Sequence, residues 1–261
     1  MGKKVAFLGP RGTYTHQAVE DYFEDYEAVP CSSLQDIFDA DADAAVIPFE
    51  NSLGGGVGKS VDLLREKDAE VTGEVKVRID HVLLSREEDI EDIEKVRSHP
   101  QALSQCRDFL SGHDWEEVES SSTAKAAEEV GKGEAAIASR LAGELNDLNV
   151  LAEDIQDRET NTTRFLVLNG ESREGDKTAL VLEPGEDRPG LLHSMLSCFS
   201  GHGINLSYIQ SRPTRDGLGE YYFFVEAEVD RRDDSFRKAR RCLETYADVN
   251  VLGSYTNGDT A

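Results

Sequence analysis

Continuous apolar segments alternate with helical stretches over the first 175 residues of the chain. Residues 5–8, 44–49 and 135–138 are entirely apolar, which is typical of short strands buried on both faces of a sheet. Between such strands, apolar side chains recur three or four positions apart, as Ala18 and Tyr22 do, and this spacing predicts amphipathic helices. Strands and helices that alternate in this way predict an α/β domain.

A longer segment, residues 71–84, alternates apolar and polar side chains and ends in a fully apolar run. Its length would let the chain cross from one lobe of the domain to another. Helices and strands resume after it, which predicts a second α/β unit. Further along, residues 161–165 (Asn-Thr-Thr-Arg-Phe) lead into residues 166–168, another apolar run that predicts a buried strand.

The pattern changes after a polar linker at residues 171–176. The elements that follow are predicted in the order strand, helix, strand, strand, helix, strand, which is the ferredoxin-like arrangement. The predicted strands lie at residues 178–182, 203–209, 220–229 and 249–252, and the helices begin near residues 189 and 234.

The chain is strongly acidic. Its 261 residues include 52 acidic and 28 basic side chains, which gives a formal net charge of −24. This balance argues against binding to nucleic acid or to an anionic membrane surface, since both attract Lys and Arg. The acids are spread along the chain, as in proteins from highly saline cytoplasm.

With a strand starting almost at the first residue and no membrane-length apolar run, we expect a cytoplasmic protein without a signal peptide.

The cysteines and histidines do not predict a metal site. Cys31, Cys106, Cys198 and Cys242 lie far apart without a C-x-x-C pair, so we expect buried free thiols. The six histidines form no set with metal-ligand spacing. A glycine-rich segment at residues 54–60 approaches a P-loop but is one residue too short, and we interpret it as a flexible turn before a helix.

A hydroxyl and a guanidinium lie side by side where residues 161–165 enter the next strand. Arg164 could bind a carboxylate through two parallel hydrogen bonds, and Thr163 could donate a hydrogen bond to the same ligand. On their own, these residues are better explained by a strand that opens with a surface arginine paired to one of the many acids.

Turns rich in hydroxyl and amide side chains recur where predicted strands lead into helices. Ser and Thr in such turns usually cap the helix, and the free N–H groups of a helix start can also bind an anion. Several turns that converged with Arg164 would form a site for a small anion, built largely from neutral donors. The turns lie at residues 9–15, 50–52, 98–101 and 120–123 and at Ser139.

Together these segments resemble the prephenate dehydratase family over nearly the whole chain. The Thr163-Arg164-Phe165 triplet matches the hallmark of that family, and the residues after 176 resemble its ACT domain, a regulatory amino-acid sensor. The other matching segments are residues 7–15, 48–52, 98–106, 122–124 and 161–165.

The resemblance implies a catalytic domain at residues 1–175, folded as two lobes like a type II periplasmic binding protein, with the active site between them. Lobe 1 would comprise about residues 1–78 and 160–175, and lobe 2 about residues 79–159. Residues 176–261 would form the ACT domain. The implied reaction, a step of L-phenylalanine biosynthesis, removes the ring hydroxyl and ring carboxylate of prephenate as water and CO2 to give phenylpyruvate, without a cofactor or metal.

The resemblance also assigns roles to residues of the cleft. Thr163 would be the catalytic threonine that donates toward the departing hydroxyl, Arg164 would hold a substrate carboxylate, and Phe165 would position the triplet. Glu50 is an alternative proton donor, or else it caps the helix that follows its strand. The residues expected to complete the substrate-binding lining are Thr13, Asn51, Ser52, Gln101, Thr123 and Asn161.

L-phenylalanine is the implied allosteric effector of the ACT domain. Two effector motifs differ from the family, with Thr178 in place of Gly and Gln210 in place of Glu, so the strength and sign of the regulation are left open. ACT domains usually pair edge to edge, so we expect a homodimer or homotetramer. The expected effector-binding residues are Ala179, Leu180, Asn205, Leu206, Ser211 and Arg212.

Two other functions fit the same features. Arogenate dehydratase catalyses the same reaction on the amino-acid form of the substrate, and sequence does not separate the two. A non-catalytic aromatic amino-acid sensor or solute-binding protein would share the fold, but the absent signal peptide and the intact triplet argue against it. We expect a monofunctional enzyme, because no helical segment precedes Val5.

Overall fold

The computed structural model describes residues 2–171, 175–186, 188–214, 220–256 and 258. The first elements are β1 (Lys3–Leu8), α1 (Tyr14–Tyr22), β2 (Tyr26–Cys31), α2 (Leu34–Asp39), β3 (Ala44–Asn51), β4 (Gly55–Gly56), α3 (Gly58–Glu66) and β5 (Val71–Arg78). The middle elements are β6 (Val82–Ser85), a 3₁₀ turn (Ile90–Asp92), β7 (Lys95–Ser98), α4 (Pro100–Gln105), α5 (Arg107–Leu110), β8 (Glu116–Glu119), α6 (Thr123–Glu128), β9 (Glu134–Ala138), α7 (Arg140–Leu145), β10 (Asn149–Ala152) and β11 (Thr162–Leu168). The last elements are β12 (Lys177–Pro184), α8 (Leu191–Ser200), β13 (Leu206–Pro213), β14 (Tyr221–Ala227), α9 (Asp234–Leu243) and β15 (Ala247–Tyr255).

The first sheet has the strand order β2-β1-β3-β11-β5, with the short β4 added to β3. β1 runs parallel to β2 and β3, whereas β11 runs antiparallel to both of its neighbours. The strand that contains residues 162–165 of the motif therefore lies between two strands, β3 and β5, that come much earlier in the sequence. Its side chains Leu166, Val167 and Leu168 are buried, as their apolar run predicts.

The second sheet, with the order β10-β6-β9-β7-β8, forms the other lobe. Residues 71–84 do cross between the lobes, although as two strands, β5 and β6, that belong to different sheets. The chain returns to the first sheet between β10 and β11. The predicted two-lobed α/β class is confirmed, while the residue boundaries of the lobes and domains stay predictions.

The third sheet has the order β13-β14-β12-β15 and is antiparallel throughout. This order and the βαββαβ sequence of elements confirm the ferredoxin-like prediction. Helices α8 and α9 cover one face, where Met195, Phe199 and Phe236 pack against Leu180 and Val225 of the sheet.

The opposite face of the third sheet packs directly on the first lobe. Tyr222, Phe224 and Tyr255 belong to the same buried cluster as Phe49 and Leu64 of that lobe. A side chain at Gly253, where φ is +154°, would collide with the backbone carbonyl oxygen of Val71. Glycine at this position therefore lets β15 approach β5 closely enough for the two domains to share one core.

The glycine-rich segment at residues 54–60 also serves this contact. A side chain at Gly58 would collide with the guanidinium of Arg212, and one at Gly56 with the hydroxyl of Tyr208. Both partners lie on β13 of the third sheet. The turn interpretation fits this geometry, and the two glycines leave room for the ends of side chains from the neighbouring domain.

The helices of the chain are short. Thr13, Ser33, Ser122 and Ser139 begin four of them, and each side chain accepts a hydrogen bond from a backbone N–H three residues further on. The longest helices, α8 and α9, have 10 residues each. Within the described ranges, no helix is both long and apolar enough to cross a membrane.

The expectation of four free thiols is wrong for two of the cysteines. Cys198 on α8 and Cys242 on α9 form a disulfide, with a Cα–Cα distance of 5.7 Å. The two residues are 44 positions apart, and only the packing of both helices on one face of the sheet brings them together. Cys31 and Cys106 are buried free thiols, as expected.

We predict that Phe224→Ala lowers the free energy of unfolding by about 3–5 kcal/mol, because the side chain is fully buried between the two domains. Tyr221→Ala on the same strand is the control, since Tyr221 is 49% exposed and its loss should cost less than about 1 kcal/mol. Urea denaturation of both variants checks this. Equal midpoints for the two variants would show that the face of β14 does not pack on the first lobe.

Candidate active site

A cleft of about 500 Å³ lies between the two lobes. The ends of β1 and β3, the start of β11 and the first turns of α1, α4 and α6 form its walls. Among the described residues that line it, none is Lys, Arg, Asp or Glu. Its polar lining consists of Thr13, Tyr14, Thr15, Ser32, Asn51, His81, His99, Gln101, Gln105, Ser121, Ser122, Thr123, Asn161 and Thr163.

The alternation of β11 separates the residues of the triplet. Successive side chains of a strand point to opposite faces, so Thr163 and Phe165 line the cleft while Arg164 lies on the other face. The expectation that Arg164 holds a substrate carboxylate therefore needs correction. Its guanidinium is instead bound by carboxylates of the protein, on the face of the sheet that meets the third sheet.

Arg164 is the centre of a buried ion cluster. Its Nη1 lies 2.8 Å from Glu226 Oε2 and 3.0 Å from Glu74 Oε2. Lys177 Nζ lies 2.9 Å from the same Glu74 oxygen, and the hydroxyl of Tyr255 donates to Glu226 at 2.6 Å. The carboxylates of Glu74 and Glu226 are fully shielded from solvent. The cluster therefore ties β11 and β5 of the first lobe to β12, β14 and β15 of the C-terminal domain.

The charges of this cluster stabilise one another. Burial alone would lower the pKa of Arg164, but Glu226 and Glu74 raise it well above its ordinary value, so the guanidinium stays charged. Burial would likewise raise the pKa of Glu74, but Lys177 and Arg164 hold it below its usual range. The guanidinium also lies over the ring of Phe49, 4.6 Å from the centroid, which adds a cation–π contact.

Glu50 and Ser52 do not line the cleft either. Glu50 Oε2 lies 3.1 Å from Arg164 Nη2, so its carboxylate faces the ion cluster and neither caps a helix nor reaches the cleft. The hydroxyl of Ser52 donates to the carbonyl of Thr160 and accepts from the N–H of Thr162. Ser52 thus fastens the start of β11 to the end of β3 rather than binding a ligand directly.

Asn51 orients the hydroxyl of Thr163. The Oδ1 atom of Asn51 accepts hydrogen bonds from the backbone N–H groups of Leu53 (3.0 Å) and Gly54 (2.8 Å). Because backbone N–H groups can only donate, this fixes which end of the amide is oxygen. Asn51 Nδ2 then donates to Thr163 Oγ1 at 2.9 Å and to Asn161 Oδ1 at 2.8 Å. Since Thr163 accepts from Asn51, its own hydrogen is free to be donated into the cleft.

The same reasoning extends to the opposite wall. Asn161 Nδ2 donates to Gln105 Oε1 at 3.2 Å, and His81 Nε2 lies 3.2 Å from the same oxygen. The Gln105 oxygen is thereby occupied on the protein side, which leaves its amide N–H groups as donors for the cleft. On the other side of the ring, His81 Nδ1 lies 2.9 Å from the hydroxyl of Tyr14.

Thr13, Asn51, Gln101, Thr123, Asn161, Thr163 and Phe165, all expected from the sequence, meet in this cleft. Their roles there stay predictions. Tyr14, His81 and Gln105 were not expected. Gln105 lies within the 98–106 segment that carries the family resemblance, so that motif could have indicated it. His81 has no such motif, and only its place at the crossing between the lobes could have suggested it.

Two of the residues expected to bind an effector lie on opposite faces of the third sheet. Ala179 faces the first lobe, whereas Leu180 faces α8 and α9. Arg212 forms a bidentate pair with Asp62 of α3, with distances of 2.9 and 2.7 Å, and so clamps the two domains together. None of the six expected residues lines a cavity of about 840 Å³ beside the C-terminal domain, whose walls include Glu183, Leu192 and Tyr221.

Within the part of the chain that the structure describes, no group of three or more His, Cys, Asp or Glu side chains could hold a metal ion.

Two family models match the chain. The model described as prephenate dehydratase matches residues 5–173, and that described as ACT domain matches residues 185–241. A bifunctional chorismate mutase/prephenate dehydratase of Aquifex aeolicus is 39% identical over 97% of this chain and 73% of its own length. The prephenate dehydratase of Methanocaldococcus jannaschii is 34% identical over 98% of each chain. An arogenate dehydratase/prephenate dehydratase of Arabidopsis thaliana is 38% identical over 97% of this chain and 72% of its own.

Two solved structures share the entire architecture. The prephenate dehydratase of Arthrobacter aurescens in complex with L-Phe superposes with a TM-score of 0.88, at 33% identity over 99% of this chain and 91% of its own. A protein described as GqqA, a novel type of quorum quenching acylase, also gives a TM-score of 0.88, at 27% identity over 97% of each chain.

We predict that Arg164→Lys lowers the free energy of unfolding by about 3–5 kcal/mol, because one ammonium cannot satisfy carboxylates on both sides of the cluster. Arg240→Lys is the matched control, since its pair with Glu244 is half exposed and should change stability by less than about 1 kcal/mol. Urea titrations at pH 7 compare the two. An Arg164→Lys variant as stable as the control would contradict the buried cluster.

Proposed function

The chain belongs to the prephenate dehydratase family, and we propose that it converts prephenate to phenylpyruvate, CO2 and water, a step of phenylalanine biosynthesis. The observation that carries the proposal is the orientation of Thr163, whose hydroxyl hydrogen is left free for the cleft because Asn51 donates to its oxygen. A hydroxyl donor at this place suits a reaction in which a hydroxide must leave.

The chemistry requires little beyond positioned donors. The bond from the ring to its hydroxyl breaks, and the electrons of the bond to the ring carboxylate move into the ring as CO2 departs. The ring becomes aromatic, so the overall step is strongly favourable. The departing hydroxide takes up one proton to become water. A preorganised hydrogen bond to the developing charge is typically worth about 3–4 kcal/mol.

Neutral donors would hold the substrate. The cleft-facing N–H groups of Gln105 and the side chains of Gln101 and Thr123 surround the space in front of Thr163. Thr13 also lines the cleft, but its hydroxyl donates to the carbonyl of Leu8 and caps α1. Phe165 supplies an apolar wall on the same strand. Arg164 has no part in substrate binding in this proposal, because its guanidinium is engaged by Glu226, Glu74 and Glu50.

Regulation belongs to the C-terminal domain in this proposal. We assign residues 1–175 to catalysis and residues 176–261 to an ACT domain that binds L-phenylalanine, and the Arthrobacter relative, whose structure is a complex with L-Phe, supports this choice of effector. β13 is an edge strand of its sheet, with Ile209 44% exposed, which supports edge-to-edge pairing into a homodimer or homotetramer. The effector residues expected from the sequence, together with a cytoplasmic location, remain part of the proposal.

Arogenate is the nearest alternative substrate, because the Arabidopsis relative is named for both activities. Arogenate carries an amino group where prephenate carries a keto oxygen, and the described lining offers no carboxylate to pair with it. This favours prephenate. Comparison of kcat/KM for the two substrates separates the assignments.

Acylase activity, for which the structural neighbour GqqA is named, is a second alternative. An acylase that used Thr163 as a nucleophile would need a base to take its proton. The neighbour of Thr163 Oγ1 in this structure is the amide nitrogen of Asn51, which is a donor and cannot act as a base. The orientation of Asn51 therefore favours the lyase.

Thr163→Ala should lower kcat by about a hundredfold or more while the fold is kept, because it removes the donor to the departing hydroxide. Ultraviolet detection of phenylpyruvate formed from prephenate measures this. Thr160→Ala is the control, since its exposed side chain lies three residues away outside the cleft. Wild-type turnover in the Thr163→Ala variant would exclude the assigned role.

The same assay tests the assignment as a whole. It is run with and without phenylalanine and at low and high salt, because the acidic surface suits a saline solvent. Formation of phenylpyruvate that changes with phenylalanine supports the full proposal. If no phenylpyruvate forms under any salt condition, a non-catalytic aromatic amino-acid sensor becomes the better assignment.

A further inference from the structure

Among the described residues that line the cleft, no side chain carries a fixed positive charge to receive the proposed substrate. Prephenate carries two carboxylates, and a buried anion without a partner is strongly destabilised. None of the described residues lining the cleft is Lys or Arg, so only the imidazoles of His81 and His99 could become positive there. His99 Nδ1 accepts a hydrogen bond from the N–H of Gln101 and caps α4, and a proton on that nitrogen would break the cap.

The hydrogen bonds of His81 differ from those of His99. His81 Nε2 faces Gln105 Oε1, which also accepts from Asn161, so this nitrogen must carry a hydrogen. Nδ1 faces the hydroxyl oxygen of Tyr14 at 2.9 Å, and that same oxygen lies 2.7 Å from the carbonyl oxygen of Asp80.

Tyr14 has one hydrogen for these two neighbours. When His81 is neutral, the hydroxyl can donate either to Nδ1 or to the carbonyl of Asp80, and one short contact remains without a hydrogen. When His81 also carries a proton on Nδ1, that nitrogen donates to Tyr14, and Tyr14 donates to Asp80. The charged ring thus satisfies every polar contact around it, and the neutral ring does not.

The surroundings of His81 act on its protonation in both directions. Burial lowers the pKa of His81 from its ordinary value, and its hydrogen bond to Gln105 and the charge of Asp80 oppose that effect. Asp80 is itself paired with Arg78, with Asp154 nearby. The remaining neighbours, Tyr14 and Cys106, stay neutral because burial raises their pKa, that of Cys106 to about 12.

We propose that His81 takes up a proton at Nδ1 when the anionic substrate enters the cleft, and so supplies the positive charge that the lining otherwise lacks. The inference rests on the proposed function, since it needs a substrate with two carboxylates. His81 acts through Gln105, whose oxygen it holds, and through its charge. It is a positioning residue, and it does not donate its proton to the leaving group.

The pH dependence of the kinetic constants tests this. If prephenate binds only to free enzyme in which His81 is protonated, kcat/KM should fall about tenfold per pH unit above the depressed pKa of His81. In the enzyme–substrate complex, the two carboxylates of prephenate keep His81 protonated, so kcat should stay level over about pH 6.5–8. The fall in kcat/KM should therefore appear as a rise in KM. In His81→Gln the amide can still donate to Gln105 but cannot ionise, so kcat/KM should be low and independent of pH. His99→Gln is the matched control and should keep the wild-type slope.

A second measurement does not depend on the folding of a His81 variant. Prephenate is titrated calorimetrically into the Thr163→Ala variant at about pH 7.5 in phosphate and in Tris, which have different heats of ionisation. The difference in heat should correspond to about one proton taken up per site. Binding without proton uptake, or an unchanged pH slope in His81→Gln, overturns the inference.

The two failures are distinguishable. Absence of phenylpyruvate at every pH contradicts the proposed function. Formation of phenylpyruvate with a kcat/KM that does not change with pH contradicts only the role of His81.

Discussion

The buried ion cluster around Arg164 is the constraint on which the rest of the molecule depends. Glu74 and Glu226 are both shielded from solvent, and either carboxylate without a cation would cost several kcal/mol. Arg164 must therefore lie on the face of β11 that meets the third sheet. A slip of one residue in β11 would place Thr163 among the carboxylates and turn the guanidinium into the cleft. The ion pairs of Arg164 on one face of β11 thus determine that the hydroxyl of Thr163 lies on the opposite face, in the cleft.

A second constraint acts within the cleft, where two backbone N–H groups determine the direction of the side-chain hydrogen bonds that follow. The backbone N–H groups of Leu53 and Gly54 can only donate, so they set the amide of Asn51. The Asn51 amide in turn orients Thr163 and Asn161, Asn161 orients the amide of Gln105, and the Gln105 oxygen then determines that His81 Nε2 carries a hydrogen. The result is a wall whose free groups are donors. Such a wall suits an anionic ligand without placing a permanent charge in an empty cleft, where burial would oppose it.

The fold was largely predictable because its signals are local. Apolar runs and helical spacing identify the α/β class and the ferredoxin-like order, and hydroxyl residues at helix starts identify the caps. The alternation of a strand also implies that Thr163 and Arg164 face opposite ways, although the sequence interpretation joined them as one ligand-binding pair. The partners of Arg164 could not be predicted, since Glu74 and Glu226 come from strands far away along the chain. The same holds for Cys198 and Cys242, and for His81, whose role depends on Tyr14 and Gln105 from two other elements.

The position of the cluster also determines how the two domains can influence each other. Glu226 belongs to β14 of the C-terminal domain, and Arg164 is the residue next to Thr163 on β11. A second clamp, in which Arg212 and Tyr222 bind Asp62, holds the same sheet to α3. A displacement of the sheet must therefore either carry β11 with it or separate a buried ion pair, and separating such a pair is strongly destabilising. Because Thr163 and Arg164 are joined by a single peptide unit, any movement of the Arg164 backbone is also a movement at the wall of the cleft.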